Sequence, residues 1–235
     1  MSPIRLHHIP RTLPALAAGI ITFGSEQGPT QPATLTFRAV SAGGYHACGV
    51  TAAGLAYCWG WNDRGQLGDG TTIDQHRPVR VAGGASYAAV STRGGYTCGV
   101  TAAGAAYCWG SNSGGQLGDG TFDDRSSPVA VLGSLRFVAV SAGGDRHTCG
   151  ATTAGAAYCW GRNERGQLGD ATTTDRSKPV LVAGEVSFAA VSAGGSHTCG
   201  VTAAGAAYCW GSNVLGELGD GTTVEVRYTP VHVAQ

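Results

Sequence analysis

The stretch Ala56–Gly70 reads AYCWGWNDRGQLGDG, and near copies of it lie at Ala106–Gly120, Ala157–Ala171 and Ala207–Gly221. The tryptophan that follows the cysteine recurs at intervals of 50, 51 and 50 residues. A tandem period of this length is typical of propellers and solenoids, in which each repeat is one supersecondary unit. The sequence therefore predicts four such units, at about 35–84, 85–134, 135–185 and 186–235.

The first repeat contains four segments with the composition of short strands, namely Thr36–Ser41, His46–Thr51, Leu55–Gly60 and Pro78–Val81. Residues 52–54 join the second and third segments as a short hairpin loop, with a glycine for a left-handed position. No window shows sustained helical periodicity, and glycine is abundant at 39 residues. The prediction is an all-β protein of β-propeller-type blades, with four four-stranded antiparallel blades.

All eight cysteines lie inside the repeats, two in each. If the hairpin turn is centred on Ala53, Cys48 and Cys58 face each other at a Cα separation of about 4.5–5.5 Å, which a disulfide tolerates. Zinc is an alternative, because His46, Cys48 and Cys58 offer three possible ligands, but Tyr96 replaces the histidine in the second repeat and no CxxC pair is present. Free buried thiols are the other alternative. Disulfides are the preferred interpretation, and they are predicted at Cys48–Cys58, Cys98–Cys108, Cys149–Cys159 and Cys199–Cys209.

Residues 1–24 belong to no repeat and carry arginines before a short apolar run, Leu13–Phe23. This pattern predicts a secretory signal peptide or, alternatively, a disordered tail, and residues 25–34 form a predicted linker. The apolar run is too short to cross a bilayer, so no membrane span is expected. Because the cysteine pattern favours an oxidising compartment, the expected location is extracytoplasmic or secreted, with the cytoplasm as the alternative.

The charge balance and the polar motifs favour neither catalysis nor nucleic-acid binding. Lys plus Arg and Asp plus Glu both number 15, so no net field would attract nucleic acid. Repeated aspartates such as Asp69 are expected to cap turns. The repeated histidines His46, His147 and His197 are expected to make structural hydrogen bonds. The chain is therefore predicted not to be an enzyme and to have no catalytic residue, cofactor or metal.

The string from Ala56 to Gly70, followed by a Pro-Val pair at Pro78, resembles the repeat of the regulator of chromosome condensation family. The resemblance covers about residues 35–235, and the cysteine pair in each blade is similar to the exported bacterial branch. Such repeats usually close a ring of seven blades, so four imply an incomplete, open-arc propeller. Trp59 is then expected to pack against the neighbouring blade and Gln66 to be buried, and open blade edges favour self-association.

Positions that differ among the repeats are expected to lie on loops, where binding partners are normally contacted. Trp61 stands where the other repeats carry Ser or Arg, and tryptophan and arginine are frequent interface anchors. The candidate partner-binding residues are Trp61, Asp63, Arg64, Arg93, Asp145, Arg146, Arg162 and Arg165, and Tyr45 is another of the variable positions.

The predicted function is a non-enzymatic scaffold for an unidentified protein partner. The resemblance implies an alternative, a guanine-nucleotide exchange factor or regulator for a small GTPase, as in the founding eukaryotic member. A light sensor like the plant ultraviolet-B photoreceptor is disfavoured, because residues 44–47 read GYHA where that protein has its GWRHT motif. A secreted hydrolase is the weakest alternative, with no residues to assign.

Overall fold

The computed structural model describes residues 35–234, and every regular element in this part is a β-strand. The first two sheets contain β1 (Phe37–Ala42), β2 (His46–Thr51), β3 (Ala56–Gly60) and β4 (Gln75–Arg80), then β5 (Tyr87–Arg93), β6 (Tyr96–Thr101), β7 (Ala106–Gly110) and β8 (Arg125–Ala130). The last two contain β9 (Phe137–Ala142), β10 (His147–Thr152), β11 (Ala157–Gly161) and β12 (Arg176–Leu181), then β13 (Ala190–Ala193), β14 (His197–Val201), β15 (Ala207–Ser212) and β16 (Val226–His232).

Each sheet has four antiparallel strands in sequence order, so the prediction of four four-stranded antiparallel blades is confirmed. The predicted signal peptide and linker lie outside the described residues. Within residues 35–234 there is no helix that could cross a membrane.

The fourth strand of the first repeat begins earlier than predicted, at Gln75 rather than Pro78. A register shift between Cys58 and Gly60 pairs Gly60 with Gln75 and so extends the strand toward its start. Pro78 is tolerated inside β4 because this strand lies at the edge of its sheet, where a missing N–H donor breaks no ladder. The bounds of β1 and β3 differ from the prediction by one residue each.

The hairpin between the second and third strands places two cysteines opposite each other in every blade. Cys48 faces Cys58 in the register, and their Cα atoms are 4.0 Å apart. All four predicted disulfides are present, and the described part of the chain has no free cysteine. The zinc and free-thiol alternatives are therefore wrong for these residues. Each bond joins residues ten apart in sequence, and a loop of that length stabilises a fold by about 2–3 kcal/mol through the unfolded chain.

In the second, third and fourth blades, a tryptophan in the third strand packs against the preceding blade. Trp109 is 0% exposed and packs in a cluster with Cys58 and Leu67 of the first blade. Trp160 and Trp210 pack in the same way against the second and third blades. Burying an indole of this size contributes several kcal/mol, since truncating a buried tryptophan typically costs about 3–5 kcal/mol. Stacking of neighbouring sheets therefore builds the core, which no single blade contains.

The indole fits because a glycine of the preceding blade lies beneath it. Gly68 has a φ of +69°, and a Cβ built on it would lie 2.6 Å from Nε1 of Trp109. Gly118 has the same relation to Trp160. A side chain at either glycine would strain the backbone and displace the indole. The Gly-Gln-Leu-Gly motif is thus the place where the next blade docks.

The carbonyl of the glutamine in that motif receives hydrogen bonds from the next blade. Nε1 of Trp160 donates to the Gln116 carbonyl at 2.9 Å. In the first pair of blades, Oγ1 of Thr97 donates to the Gln66 carbonyl at 2.9 Å and lies 2.8 Å from Nε2 of His46. Gln66 is fully buried, as predicted, and its Oε1 accepts a backbone N–H of its own turn. We call these contacts of a tryptophan and a threonine with the preceding blade the inter-blade joint.

The four blades form an open arc. The joints bring β2 against β5, β6 against β9 and β10 against β13, and within residues 35–234 the first and fourth sheets are not joined in this way. The open-arc prediction is confirmed. The prediction that Trp59 packs against a neighbouring blade is wrong for the described residues. Trp59 is only half-buried and packs on Phe37 of its own sheet, with ring centroids 5.7 Å apart.

Replacing Thr97 by Ala should destabilise the protein by about 1–3 kcal/mol, because the buried Gln66 carbonyl and His46 imidazole both lose their partner. The free energy of unfolding, measured by urea titration, checks this. Thr173→Ala is the control, since Thr173 is exposed in a loop and should change stability by less than about 0.5 kcal/mol. Equal stabilities for the two variants would contradict the importance of the joint.

Candidate functional site

Loops of the first three blades surround a groove of about 580 Å³, which we call the loop groove. The turns between the first and second strands of successive sheets contribute Gly44, Gly94 and Gly144 to its lining. The loop that follows β3 contributes Trp61 and Arg64. Because joints fix each blade to the next, the loops that form the groove are held by a rigid scaffold.

An exposed pair of aromatic rings forms one wall of the loop groove. The rings of Tyr45 and Trp61 meet edge to face, with centroids 5.7 Å apart. Tyr45 is 78% exposed and Trp61 is half-buried. The same pair also lines a second hollow of about 460 Å³, together with Asp74 and His76. The two rings thus present apolar surface to ligands on both sides, and each has a polar tip for hydrogen bonding.

Two arginines give the loop groove a positive character. Arg64 is exposed, and its Nη1 lies 3.3 Å from Oδ2 of Asp124, with Asp63 at 3.9 Å from its Nε. Arg146 is also exposed and has a φ of +57°. Among the described residues no carboxylate oxygen lies within 4.0 Å of the Arg146 guanidinium. Because exposed ion pairs contribute little free energy, both guanidinium groups can bind a carboxylate of a ligand at small cost.

The other candidate residues lie outside the lining of the loop groove. Arg162 pairs with Asp145, Nη1 to Oδ1 at 2.9 Å, and with Glu164. Arg165 is exposed on a turn, where its backbone N–H bonds the side chain of the buried glutamine. The Nε of Arg93 would lie 3.5 Å from a Cβ built on Gly144, so this side chain reaches the rim. The structure therefore brings Trp61, Arg64 and Arg146 together in the lining. The Arg162–Asp145 ion pair adjoins Arg146, whose carbonyl accepts the Arg162 backbone N–H at 2.8 Å, but it does not line the groove.

Two scaffold residues that face the groove were missed as site residues. Tyr96 and Gln116 line it, although both are buried. The sequence could have identified Tyr96 as a candidate, because it stands where the other three repeats carry a histidine. Its hydroxyl accepts the Gly143 N–H at 2.8 Å and the Thr148 hydroxyl at 3.1 Å, so it belongs to a joint as well.

Two of the three repeated histidines, His46 and His147, make hydrogen bonds to threonines of the next blade, and the repeated aspartates cap turns. Burial lowers the pKa of both His46 and His147 to about 4, so both imidazoles are neutral near pH 7. Oδ1 of Asp69 accepts the backbone N–H and the hydroxyl of Thr71, which caps the turn as predicted. Although burial acts in the opposite direction, hydrogen bonds from Thr121 and Arg125 hold the pKa of Asp119 below its usual value. The described residues contain no cluster of three His, Cys, Asp or Glu side chains suited to a metal ion.

Stacked four-stranded blades with variable loops at one edge define an all-β, propeller-type repeat protein. Two family models for the regulator of chromosome condensation (RCC1) repeat match the chain. The first covers residues 53–101, 103–150 and 154–201. The second covers residues 37–66, 137–167 and 188–217. The chain belongs to the RCC1 repeat family.

Several solved structures share the fold. Human WBSCR16 superposes with a TM-score of 0.76 at 24% identity, over 85% of this chain and 53% of that one. Yeast RCC1 (Prp20), bound to Kap60, gives 0.74 at 19% identity, over 88% and 50% of the two chains. Saccharomyces cerevisiae Prp20p, described with its binding properties to Gsp1p and histones, gives 0.72 at 19% identity, over 88% and 52%. The chain spans about half the length of each of these proteins.

Replacing His147 by Tyr should make stability less dependent on pH between 6.5 and 4. The folded His147 has a pKa of about 4 and the unfolded side chain about 6.5, so only the unfolded chain takes up a proton in this window. The neutral, buried imidazole of His147 therefore stabilises the fold fully above pH 6.5. This contribution, about a few kcal/mol, is lost as the pH falls toward 4. Urea unfolding at several pH values measures the slope.

The tyrosine is a matched substitution, because Tyr96 occupies the equivalent position in the second blade. The variant keeps the contribution of His46, so its slope should be reduced and not abolished. An unchanged slope in His147→Tyr would contradict a neutral, buried imidazole at this position.

Proposed function

We propose that this chain is a non-enzymatic protein-binding scaffold and that the loop groove is its contact surface. One observation carries the proposal: Trp61, Arg64 and Arg146, three residues that vary among the repeats, line one groove beside the exposed ring of Tyr45. Tryptophan, tyrosine and arginine are the residue types that most often dominate binding energy at protein interfaces. The partner is an unidentified protein.

The chemistry of the groove indicates what the partner presents. Two guanidinium groups favour a carboxylate, and a planar guanidinium can bind it through two parallel hydrogen bonds. The aromatic pair favours an apolar side chain next to that carboxylate. We therefore propose a partner loop or extended segment that carries an acidic residue close to an apolar one. A nucleic-acid partner is not proposed, since the chain has no net charge.

The four disulfides suggest an oxidising, extracytoplasmic environment. We propose that the chain acts there, exported by the segment 1–24, with the cytoplasm as the alternative. Relatives of the fold are described as bound to Kap60 or as binding Gsp1p and histones, which supports protein binding as the general role. Guanine-nucleotide exchange remains a hypothesis by analogy, and no observation on the described residues favours it.

Replacing Trp61 by Ser and Arg146 by Ser should weaken partner binding at least tenfold, because each removes an anchor from the groove. Both substitutions copy residues that other blades carry at these positions, Ser111 and Ser196, so the fold should be retained. Binding is measured by quantitative capture from the extracytoplasmic fraction of the source cells and then by titration with the purified partner.

The control is Phe122→Thr, which removes an exposed aromatic ring from a loop outside the groove. Threonine stands at the equivalent position of the other three repeats. Binding should be unchanged in this variant. If the double serine variant captures the same proteins with the same affinity as the wild type, the loop groove is not the contact surface.

A further inference from the structure

The two end sheets of the arc carry opposite halves of the inter-blade joint. In every internal joint, one blade contributes the face that bears its disulfide, and the following blade contributes the face that bears its tryptophan. The first blade therefore has an unused tryptophan face, and the fourth blade has an unused disulfide face. Both faces are unpaired among residues 35–234.

The tryptophan face of the first blade is exposed at positions that are covered in the other blades. Val40 is 69% exposed, while Val90 is half-buried against the core of the first blade. Ala42 is exposed, while its counterpart Ala142 is 4% exposed. Trp59 is half-buried, in contrast to the fully buried indoles of the internal joints. An apolar surface of this kind is suited to a partner that covers it.

The disulfide face of the fourth blade shows the complementary pattern. Val201 is 37% exposed, while Val50 and Val100, its counterparts in the first two blades, are 0% and 2% exposed. Cys199 is half-buried, although the equivalent Cys48 is fully buried. The surface that would receive the next tryptophan is thus formed, and residues 35–234 do not cover it.

Two glycines of the fourth blade that match the contact glycines of the internal joints also have no neighbour from another blade among the described residues. A Cβ built on Gly65 would lie 2.4 Å from Ser126 in the following blade, whereas a Cβ built on Gly216 meets nothing within 4 Å. Gly219, the counterpart of the glycine beneath Trp109, is exposed, and a Cβ built on it would meet only Cγ1 of Val233 in its own blade, at 3.2 Å. The carbonyl of Glu217 occupies the position of the glutamine carbonyls that accept an indole N–H in the second and third joints. A tryptophan face with the geometry of an internal joint therefore fits here.

We propose that the fourth blade of one copy binds the first blade of a second copy, head to tail, through an additional inter-blade joint. A second copy is the occupant that the geometry favours, because its first blade is the surface that continues a joint already formed three times within the chain. Nε1 of Trp59 would donate to the Glu217 carbonyl of the other copy. Two arcs with two such joints form a closed dimer if the rotation closes.

One substitution makes this joint weaker than the internal ones. The first blade has Ala47 where the others have Thr97, Thr148 and Thr198. The threonine hydroxyl binds the glutamine carbonyl and, in two of the joints, the histidine of the preceding blade. Ala47 cannot supply these bonds, so association should be reversible and depend on concentration.

Sedimentation equilibrium of the full chain over a range of concentrations tests the proposal. The expected result is a reversible species of about twice the 23.7 kDa chain mass. Val40→Arg blocks the tryptophan face and Val201→Arg blocks the disulfide face, and each variant alone should be monomeric. An equimolar mixture should associate again, at higher concentration than the wild type, because one joint with two intact faces remains.

Val138→Arg is the matched control. Val138 is 58% exposed on the third blade, and the first blade carries Arg38 at the equivalent position, so this variant should associate like the wild type. Ala47→Thr is expected to strengthen association by roughly 2- to 10-fold for each joint, since it restores a buried hydrogen bond. Only an interface built like the internal joints predicts this gain.

Three outcomes would overturn the proposal. A wild-type chain that stays monomeric at every concentration excludes a second copy as the occupant, whatever covers the tryptophan face. A Val201→Arg variant that still dimerises indicates pairing of two first blades, which is a different interface. Failure of the two arginine variants to associate when mixed, while circular dichroism shows both to be folded, excludes a head-to-tail arrangement.

Discussion

The whole structure depends on the contact in which a tryptophan and a threonine of one blade reach the Gly-Gln-Leu-Gly turn of the blade before it. A four-stranded sheet of this size buries little apolar surface by itself, and its hydrophobic face must be covered by a neighbour. The glycine beneath the indole, Gly68 in the first blade, permits the close approach. The carbonyl of the buried glutamine supplies a fixed acceptor. Stability therefore arises between blades rather than within them.

The disulfides stabilise individual blades and also take part in the contacts between blades. Each joins the two central strands of one blade and limits the unfolded chain, but it also forms part of the surface against which the next tryptophan packs. The same sulfur atoms thus stabilise the hairpin and contribute to the joint. The loop residues that help to hold the sheets together, such as Leu67, lie in the Gly-Gln-Leu-Gly motif, so the other loop positions at the edge of the blades are free to vary. Trp61 and Arg146 occupy such positions and meet in one groove.

Much of the fold could be predicted from the repeat itself. The fifty-residue period, the hairpin glycine and the cysteines ten residues apart correctly predicted four blades with one disulfide each, because these features depend on local geometry. The start of β4 at Gln75 was not predicted, since it results from a register shift at the end of β3. The prediction that Trp59 packs against a neighbouring blade was also wrong. Whether one face of a sheet is covered depends on the next sheet, and the residues of a single strand do not reveal this.

The candidate site, like the fold, could be predicted from the sequence only in part. The sequence identified variable loop residues, and three of the eight, Trp61, Arg64 and Arg146, line one groove, while Asp145 and Arg162 pair with each other beside Arg146 but outside the lining. The sequence by itself determined the number and order of the strands and the disulfides, because these follow from spacing within a repeat. It did not identify the threonine contacts between blades, such as that of Thr97 with the Gln66 carbonyl. Only the tertiary structure decided which loops meet and which faces remain uncovered, because the relative placement of blades depends on contacts between residues about fifty positions apart.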